Sequence, residues 1–281
     1  MTLEPGCYNL RIPSLTKIYD KWMWKLEDPE AFSRAFKYNL KLKKWGLTID
    51  WKGTCFQIHD SAGKNIYILS KHRLEKYKNG IDARLNQLAS EYMLQKVDFD
   101  AGSAVIDCGA NVGEIGIFLA ENFSHLNYIA FEPGRPEFEV CKLNNPGKHC
   151  VNAALWFEDT ELELFNKSNT ADSSVIAFKG FEETTRVAAI SLDTFCEREN
   201  IDRIALLKLE AEGAEPEILH GARRTLSKTR YISVDCGFER GENKESTLPD
   251  VSNFLIQNNF EMQSVYSGNR LVVLFKSSKP G

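Results

Sequence analysis

The sequence predicts an α/β fold: an open, mostly parallel sheet with helices on both faces and an antiparallel edge strand, preceded by a smaller α+β region. Three observations carry that expectation. From Ser103 onward, short apolar runs alternate with helical stretches (AVIDCG, GEIGIFLAENF, NYIAFE, PEFEVCKLNN, HCVNAAL), the β-α-β-α-β order of a parallel sheet covered by helices. The chain closes on two strand-like runs, FEMQSVY and RLVVLF, joined by the turn SGNR, which predicts a hairpin and hence an antiparallel strand at one edge. Charge is also divided unevenly. Residues 1–100 carry 17 basic and 12 acidic groups and the remainder 18 and 27, so two parts are expected, 1–98 and 99–281.

In the first part, apolar spacing predicts helices near 15–26 and 30–43, the latter marked by Phe32, Phe36 and Leu40. Strands follow near 46–58 and 64–70 around the turn DSAGKN, then a helix over 82–96. Trp22, Trp24, Trp45 and Trp51 lie here together with the basic stretches KLKKW and KHRLEKYK. Such a surface suits a polar, even anionic, substrate, although packing of these tryptophans onto the second part is the favoured reading, because aromatics are most often core. After the βαβ units come an antiparallel excursion (ELELF, SSVIAF, RVAAI), the strand IALLKLE, a helix over 215–226, the strand YISVDC and a helix over 249–257.

Composition sets further bounds. A chain of 281 residues that is 43% hydrophobic and 26% charged is of ordinary globular type, which excludes disorder and fibrous repeats. No apolar run approaches the ~20 residues of a membrane span. The opening stretch MTLEPGCYNLRIPSL lacks an export signature, so a cytoplasmic location is expected. Seven cysteines without a CxxC pair predict neither a disulfide framework nor a zinc site.

The stretch Asp107-Cys-Gly109-Ala110-Asn111-Val-Gly113-Glu-Ile-Gly116 follows a strand and opens a helix, the context that a nucleotide-binding loop requires. Glycine permits positive φ and close backbone approach to a ligand, and a helix N-terminus favours a negative group. The spacing GxxxG, rather than GxGxxG, argues against hydride transfer. Twenty-five residues beyond Asp107, the next strand ends in Glu132, where a carboxylate can accept both hydroxyls of a ribose. For Asp107 the bland alternative is a turn cap.

These residues carry a resemblance. DCGANVGEIG, AFEPGRPEF, ISLDTF and LLKLEAEGAEPEILHGA are similar, in order and spacing, to the FkbM-type S-adenosylmethionine-dependent methyltransferases, over about residues 100–280. The resemblance implies a seven-stranded class I methyltransferase (Rossmann-like) sheet, S-adenosyl-L-methionine as cofactor and S-adenosyl-L-homocysteine as product. It implies that Asp107, Gly109, Ala110, Asn111 and Gly113 hold the methionine end of the cofactor and Glu132 its ribose. Asn152 and Ala153 fall where adenine is expected, and Ser173 is a weaker candidate for the same end. The family's usual activity, methylation of a hydroxyl on a sugar or sugar-bearing metabolite, becomes the expected function.

Methyl transfer needs an aligned acceptor oxygen and a destination for its proton. Alternation along IALLKLE puts Lys208 and Glu210 on one side of a strand, with Glu210 at the carboxyl edge where open α/β sheets bind ligands. Family members usually carry Asp in place of Glu210. Base, orienting acceptor and metal ligand stay open as roles for it, and a structural pair of Lys208 with Glu210 or Glu212 carries equal weight. Asp235, at the end of YISVD, ranks second as base. Asp193 is expected to cap the helix that follows it, and His220 to pack or face solvent. No histidine spacing marks a metal site, so a divalent metal is possible only through carboxylates.

The expected function is therefore O-methylation of a sugar, glycan or glycosylated small metabolite by in-line transfer. The alternatives are an RNA methyltransferase, disfavoured by net acidity but kept open by the basic first part, and a non-catalytic cofactor-binding scaffold. The expected partner is a small molecule or glycan, with no membrane span. A homodimer is compatible with the sequence, which does not fix the oligomeric state.

Overall fold

The structure, a computed structural model, describes residues 15–39, 42–166 and 173–279. Cys7, and parts of KLKKW and of the stretch before Ser173, lie outside the described residues. The chain opens with helices α1 (Leu15–Trp24) and α2 (Pro29–Lys37). Asp28 starts α2 by accepting the amides of Glu30 and Ala31 at 2.8 and 3.1 Å, with Pro29 fitting its first turn. The helix is shorter than predicted because its last turn tightens, the amides of Tyr38 and Asn39 bonding the carbonyls of Ala35 and Phe36. A meander follows: β1 (Leu47–Trp51), β2 (Phe56–Asp60) and β3 (Asn65–Ile68). The single strand predicted for 46–58 is broken by a turn in which the Lys52 amide bonds the Cys55 carbonyl at 2.9 Å. A 3₁₀ segment, Lys71–Tyr77, then leads to α3 (Ile81–Glu91).

The second part alternates as expected: β4 (Ala104–Cys108), α4 (Glu114–Asn122), β5 (Asn127–Phe131), α5 (Arg135–Asn144) and β6 (His149–Val151). The excursion comprises β7 (Ala154–Trp156), β8 (Thr160–Asn166), β9 (Ser173–Ser174) and β10 (Glu183–Ser191), which form a separate sheet in the order β7-β10-β8-β9. Then come α6 (Leu192–Arg198), β11 (Ile204–Leu209), α7 (Glu215–His220), β12 (Thr229–Asp235), the small hairpin β13 (Phe238–Arg240) and β14 (Glu245–Ser246), α8 (Leu248–Gln257), β15 (Phe260–Ser267) and β16 (Leu271–Ser277).

The main sheet has seven strands in the order β15-β16-β12-β11-β4-β5-β6. This is the seven-stranded, Rossmann-like sheet that the resemblance implied. The closing hairpin is present, but its antiparallel strand is not the outermost one. β16 runs antiparallel between β12 and β15, and β15, antiparallel to β16, returns to the common direction at the edge. The start of β16 therefore emerges beside the carboxyl end of β12.

Each face of this sheet has its own core. On one face, Val105, Leu206, Tyr231 and Leu274 join Phe32, Phe36, Ile58, Leu85 and Tyr92 of the first part in one apolar cluster, with Trp24, Trp45 and Trp51 packed against it. On the other, Ile106, Leu207 and Ile232 meet Phe195, Ile218 and Leu255 from α6, α7 and α8. The first part is thus bound to the sheet by shared apolar burial, but not through all four tryptophans: Trp22 is half exposed, and Trp24 and Trp51 pack on Phe32 and Phe56 of the first part itself. Among the described residues no helix is long and apolar enough to cross a membrane.

Asp193 does not cap α6. Ser191 does, accepting the Thr194 amide at 3.1 Å, while Asp193 accepts the amides of Arg224 and Thr225 at 3.0 and 2.7 Å. Tying down the chain after α7 in this way ends that helix at His220 rather than near 226. Gly221 is pressed there against the backbone of Trp156 and Phe157. His220 stacks on Phe254, with ring centroids 4.9 Å apart.

Candidate active site

The loop between β4 and α4 is shaped by two glycines at positive φ. A Cβ on Gly109 (φ +70°) would overlap the Glu210 carbonyl oxygen, and one on Gly113 (φ +79°) would overlap the Asn145 side chain. Only glycine lets β4 and β11 release their chains side by side here. The amides of Gly109 and Ala110 both bond the Phe131 carbonyl at 3.0 Å, which ties the loop to the end of β5.

Below the loop lies a buried charge network. Lys208, 1% exposed, stands 2.9 Å from Asp107 and 3.2 Å from Glu210. Its ammonium also donates to the carbonyls of Cys108 and Gly109 at 3.0 and 2.9 Å. Asp107 is fully buried and its other oxygen accepts the Tyr128 hydroxyl at 2.7 Å. Lys208 therefore reads as the pin that holds two strand ends and the glycine loop in register.

A cavity of about 680 Å³ opens above this network. Of the residues singled out in the sequence, Gly109, Ala110, Asn111, Glu132, Ala153, Ser173, Lys208 and Glu210 line it. Asp107, Gly113, Asn152 and Asp235 stand behind its wall. The amide nitrogen of Asn152 donates to the carbonyls of Glu132 and Pro133, both at 2.9 Å, fixing the chain just past β5. Glu132 accepts the amides of Asn111 at 2.8 Å and Gly134 at 2.9 Å. Burial, with the Glu137 carboxylate nearby, pushes it up to about 7. Its remaining lone pairs suit hydroxyl donors such as those of a ribose. The volume, the glycine loop and this carboxylate fit S-adenosylmethionine. Among the described residues no group of three or more His, Cys, Asp or Glu side chains is arranged to hold a metal ion.

Glu210 is clamped from both sides. Lys208 faces one carboxylate oxygen, and the Arg270 guanidinium, from the turn before β16, makes a short ion pair with the other. Burial opposes its charge, but Lys208 and Arg270 outweigh burial and hold the carboxyl well below the usual range. Arg270 also reaches Asp235 at 2.8 Å, Glu91 at 3.4 Å and the Tyr92 hydroxyl at 3.1 Å. Asp235 is shifted the other way, raised by burial and by the neighbouring Glu210. The loop after β12 does not join the cavity wall. Arg240 there pairs with Glu217 at 2.6 Å and lies against Gly213.

Sequence reasoning missed several wall residues. Arg270 sits in a turn whose only visible signal was its hairpin, and its significance depends on β16 starting at the ligand edge. Glu114, within the glycine motif itself, is gripped by Arg84 at 2.9 Å and by the Tyr77 hydroxyl at 2.7 Å. Arg73 donates to the Asn111 side chain at 2.6 Å. Arg73 falls within KHRLEKYK, the stretch noted as a possible anionic-substrate surface.

Comparison with known proteins adds the following. The family described as Methyltransferase FkbM domain matches residues 107–262. A curated relative, Methyltransferase 1 of Beauveria bassiana (strain ARSEF 2860), is 24% identical over 148 residues, covering 44% of this chain. The matched part spans 59% of that relative's length. Among solved structures, M. capricolum TrmK in complex with S-adenosyl-homocysteine is 13% identical, with a TM-score of 0.40 over 70% of this chain and 68% of that one. The N-terminal domain of human METTL16 in complex with SAH is 15% identical, with a TM-score of 0.43 over 89% and 84% of the two chains.

Proposed function

The chain belongs to the FkbM methyltransferase family, with S-adenosylmethionine as cofactor, and from that premise we propose that it methylates a hydroxyl of a sugar, glycan or glycosylated small metabolite. The observation that carries this reading is the convergence of Glu210 and Lys208 with the Gly109 loop and Glu132 on one cavity. When bound, the cofactor supplies a sulfonium-activated methyl group.

The chain's own work is then alignment. The backbone of Gly109 to Asn111 faces the methionine end, Glu132 accepts the ribose hydroxyls, and Ala153 and Ser173 border the adenine end. Glu210, kept ionised by Lys208 and Arg270, is a constant hydrogen-bond acceptor for the substrate hydroxyl. Accepting the methyl group that such a cofactor would supply would make the hydroxyl proton strongly acidic. Even a weakly basic carboxylate can then take it. The described residues of the first part act as the substrate-side cap, with Phe56, Arg73 and Leu88 in the cavity wall.

The test combines calorimetry with S-adenosylmethionine, S-adenosylhomocysteine and NAD, and transfer of labelled methyl to a panel of nucleotide sugars and glycans. Micromolar binding of the sulfur nucleotides alone, about −8 kcal/mol, is expected. Glu210→Gln should retain that binding and lose about 10²–10⁴-fold in turnover. Binding of NAD, or label entering RNA rather than sugar hydroxyls, would overturn the reading.

A further inference from the structure

One wall of the cavity carries more positive charge than the cofactor accounts for. The 3₁₀ segment Lys71–Tyr77 contributes Lys71, Arg73 and Lys76 to it, and α3 contributes Arg84. Lys71 is spent on structure, its ammonium donating to the carbonyls of Trp24 at 3.0 Å and Leu26 at 2.5 Å, with Glu27 nearby. Arg84 holds Glu114 through two bonds, at 2.9 and 3.3 Å, and Arg73 stands 3.9 Å from that same carboxylate. One acid thus serves Arg73, Arg84 and Lys76, which leaves an excess of two positive charges on this wall.

Lys76 has no ion-pair partner among the described residues. It lies exposed at the cavity rim, yet crowding by the surrounding protein and repulsion from Arg73, Arg84 and Arg270 pull its ammonium down to about 8, with Glu114 only partly offsetting them. Of the acids on the other walls, Glu132 accepts backbone amides and Glu210 is paired with Lys208 and Arg270, while Glu137 and Glu212 also border the cavity. Arg73 spends one nitrogen on Asn111 and keeps further N–H donors for a planar or tetrahedral oxyanion.

We propose that Lys76 and Arg73 form an anion subsite for the methyl acceptor, and that the acceptor therefore carries a phosphate or diphosphate group close to the hydroxyl that is methylated. This rests on the methyltransferase reading and names its substrate class. The cofactor's single carboxylate, at the glycine-loop end, matches one cation at most. With one cation matched to that carboxylate, the charge that extends from Arg73 out to Lys76 still leaves a cation for an anionic group of the acceptor. Confinement of these charges to one cavity wall favours a small phosphorylated molecule over a polymeric backbone.

The experiment uses the full chain saturated with S-adenosylhomocysteine, titrated calorimetrically with inorganic pyrophosphate and, separately, with uridine diphosphate. Saturable binding is expected, weakened about tenfold or more by Lys76→Gln, while S-adenosylhomocysteine affinity in that variant stays within about twofold of the original. Arg73→Gln should weaken pyrophosphate similarly. Absence of saturable binding, or an unchanged affinity in Lys76→Gln, would overturn the subsite. So would competition between pyrophosphate and S-adenosylhomocysteine, which would assign these cations to the cofactor carboxylate, or tighter binding of a single-stranded RNA oligonucleotide than of either probe. Failure of S-adenosylhomocysteine itself to bind would instead remove the methyltransferase reading on which the proposal stands.

Discussion

Replacing Lys208 with methionine preserves most of the side chain's volume and removes its charge. In the folded chain that ammonium faces Asp107 at 2.9 Å and Glu210 at 3.2 Å and fills the carbonyls of Cys108 and Gly109. Glu210 keeps Arg270, but Asp107, fully buried, keeps only the Tyr128 hydroxyl. Stranding one member of a buried ion pair costs about 3–5 kcal/mol. At about 2–4 °C per kcal/mol for a domain somewhat smaller than this one, Tm should fall by about 6–20 °C. Removing the stranded charge as well, in Lys208→Met with Asp107→Asn, should recover part of that loss, so the two substitutions are expected to be non-additive by about 1–3 kcal/mol. The folded-state pKa of Lys208 is raised because Asp107 and Glu210 outweigh its burial. Its contribution is therefore fully present below the unfolded lysine value of about 10.4 and is lost only above it, so the deficit should be constant between about pH 5 and 9. Urea unfolding followed by circular dichroism measures all three variants. A loss under about 1 kcal/mol for Lys208→Met, or strict additivity in the double variant, would refute the pin.

Other outcomes follow from the same geometry. Because Glu132 is raised to about 7, its contribution to stability is fully present below about pH 4.5 and is lost as pH rises through 7. Ribose hydroxyls favour its ionised form, so S-adenosylhomocysteine should bind more tightly as pH rises from about 5 to 7, by up to about tenfold per unit, and Glu132→Gln should flatten that slope in calorimetry. Gly109→Ala meets both a positive φ and the Glu210 carbonyl, and is expected to cost about 2 kcal/mol or more and to abolish cofactor binding; a normal titration in that variant would contradict the close approach. Arg270→Gln frees Glu210 from one of its two cations, so the acid limb of the kcat/KM profile should move upward while S-adenosylhomocysteine affinity stays near its original value; an unmoved limb would take Glu210 out of the proton path. Deleting residues 1–93 uncovers Val105, Leu206, Val272 and Leu274, each at most 1% exposed, and should yield a chain with no cooperative unfolding transition.

The parallel core was legible because its determinants are local. An apolar strand, a glycine turn and an amphipathic helix repeat within a few tens of residues, and the loop at Gly109 and the carboxylate at Glu132 sit at fixed offsets in that pattern. Element ends were less legible. Asp193 looked like a cap for its own helix but binds amides 31 and 32 residues away, and the end of α7 depends on that distant bond. Residues that reach the cavity from separate chain segments, such as Arg73 and Arg270, carry no local periodicity at all. Arg270 becomes visible only when β16 is known to run antiparallel, because an antiparallel strand begins where its parallel neighbours end.

That same inversion bears on the role of Glu210. From sequence, a carboxylate at a strand's carboxyl edge beside a lysine suggests a base, since one cation tunes acidity without abolishing it. A second cation, delivered by the reversed strand, changes the balance. With Lys208 on one oxygen and Arg270 on the other, the carboxylate stays ionised and gains little by taking a proton. A strong base would not be required where the cofactor supplies an already activated methyl group. What the proposed site requires is a fixed acceptor for the hydroxyl, and two cations, one buried and one partly buried, fix a carboxylate more firmly than one. The two cations thus support the proposed role of Glu210 as a fixed acceptor that orients the hydroxyl and takes its proton late.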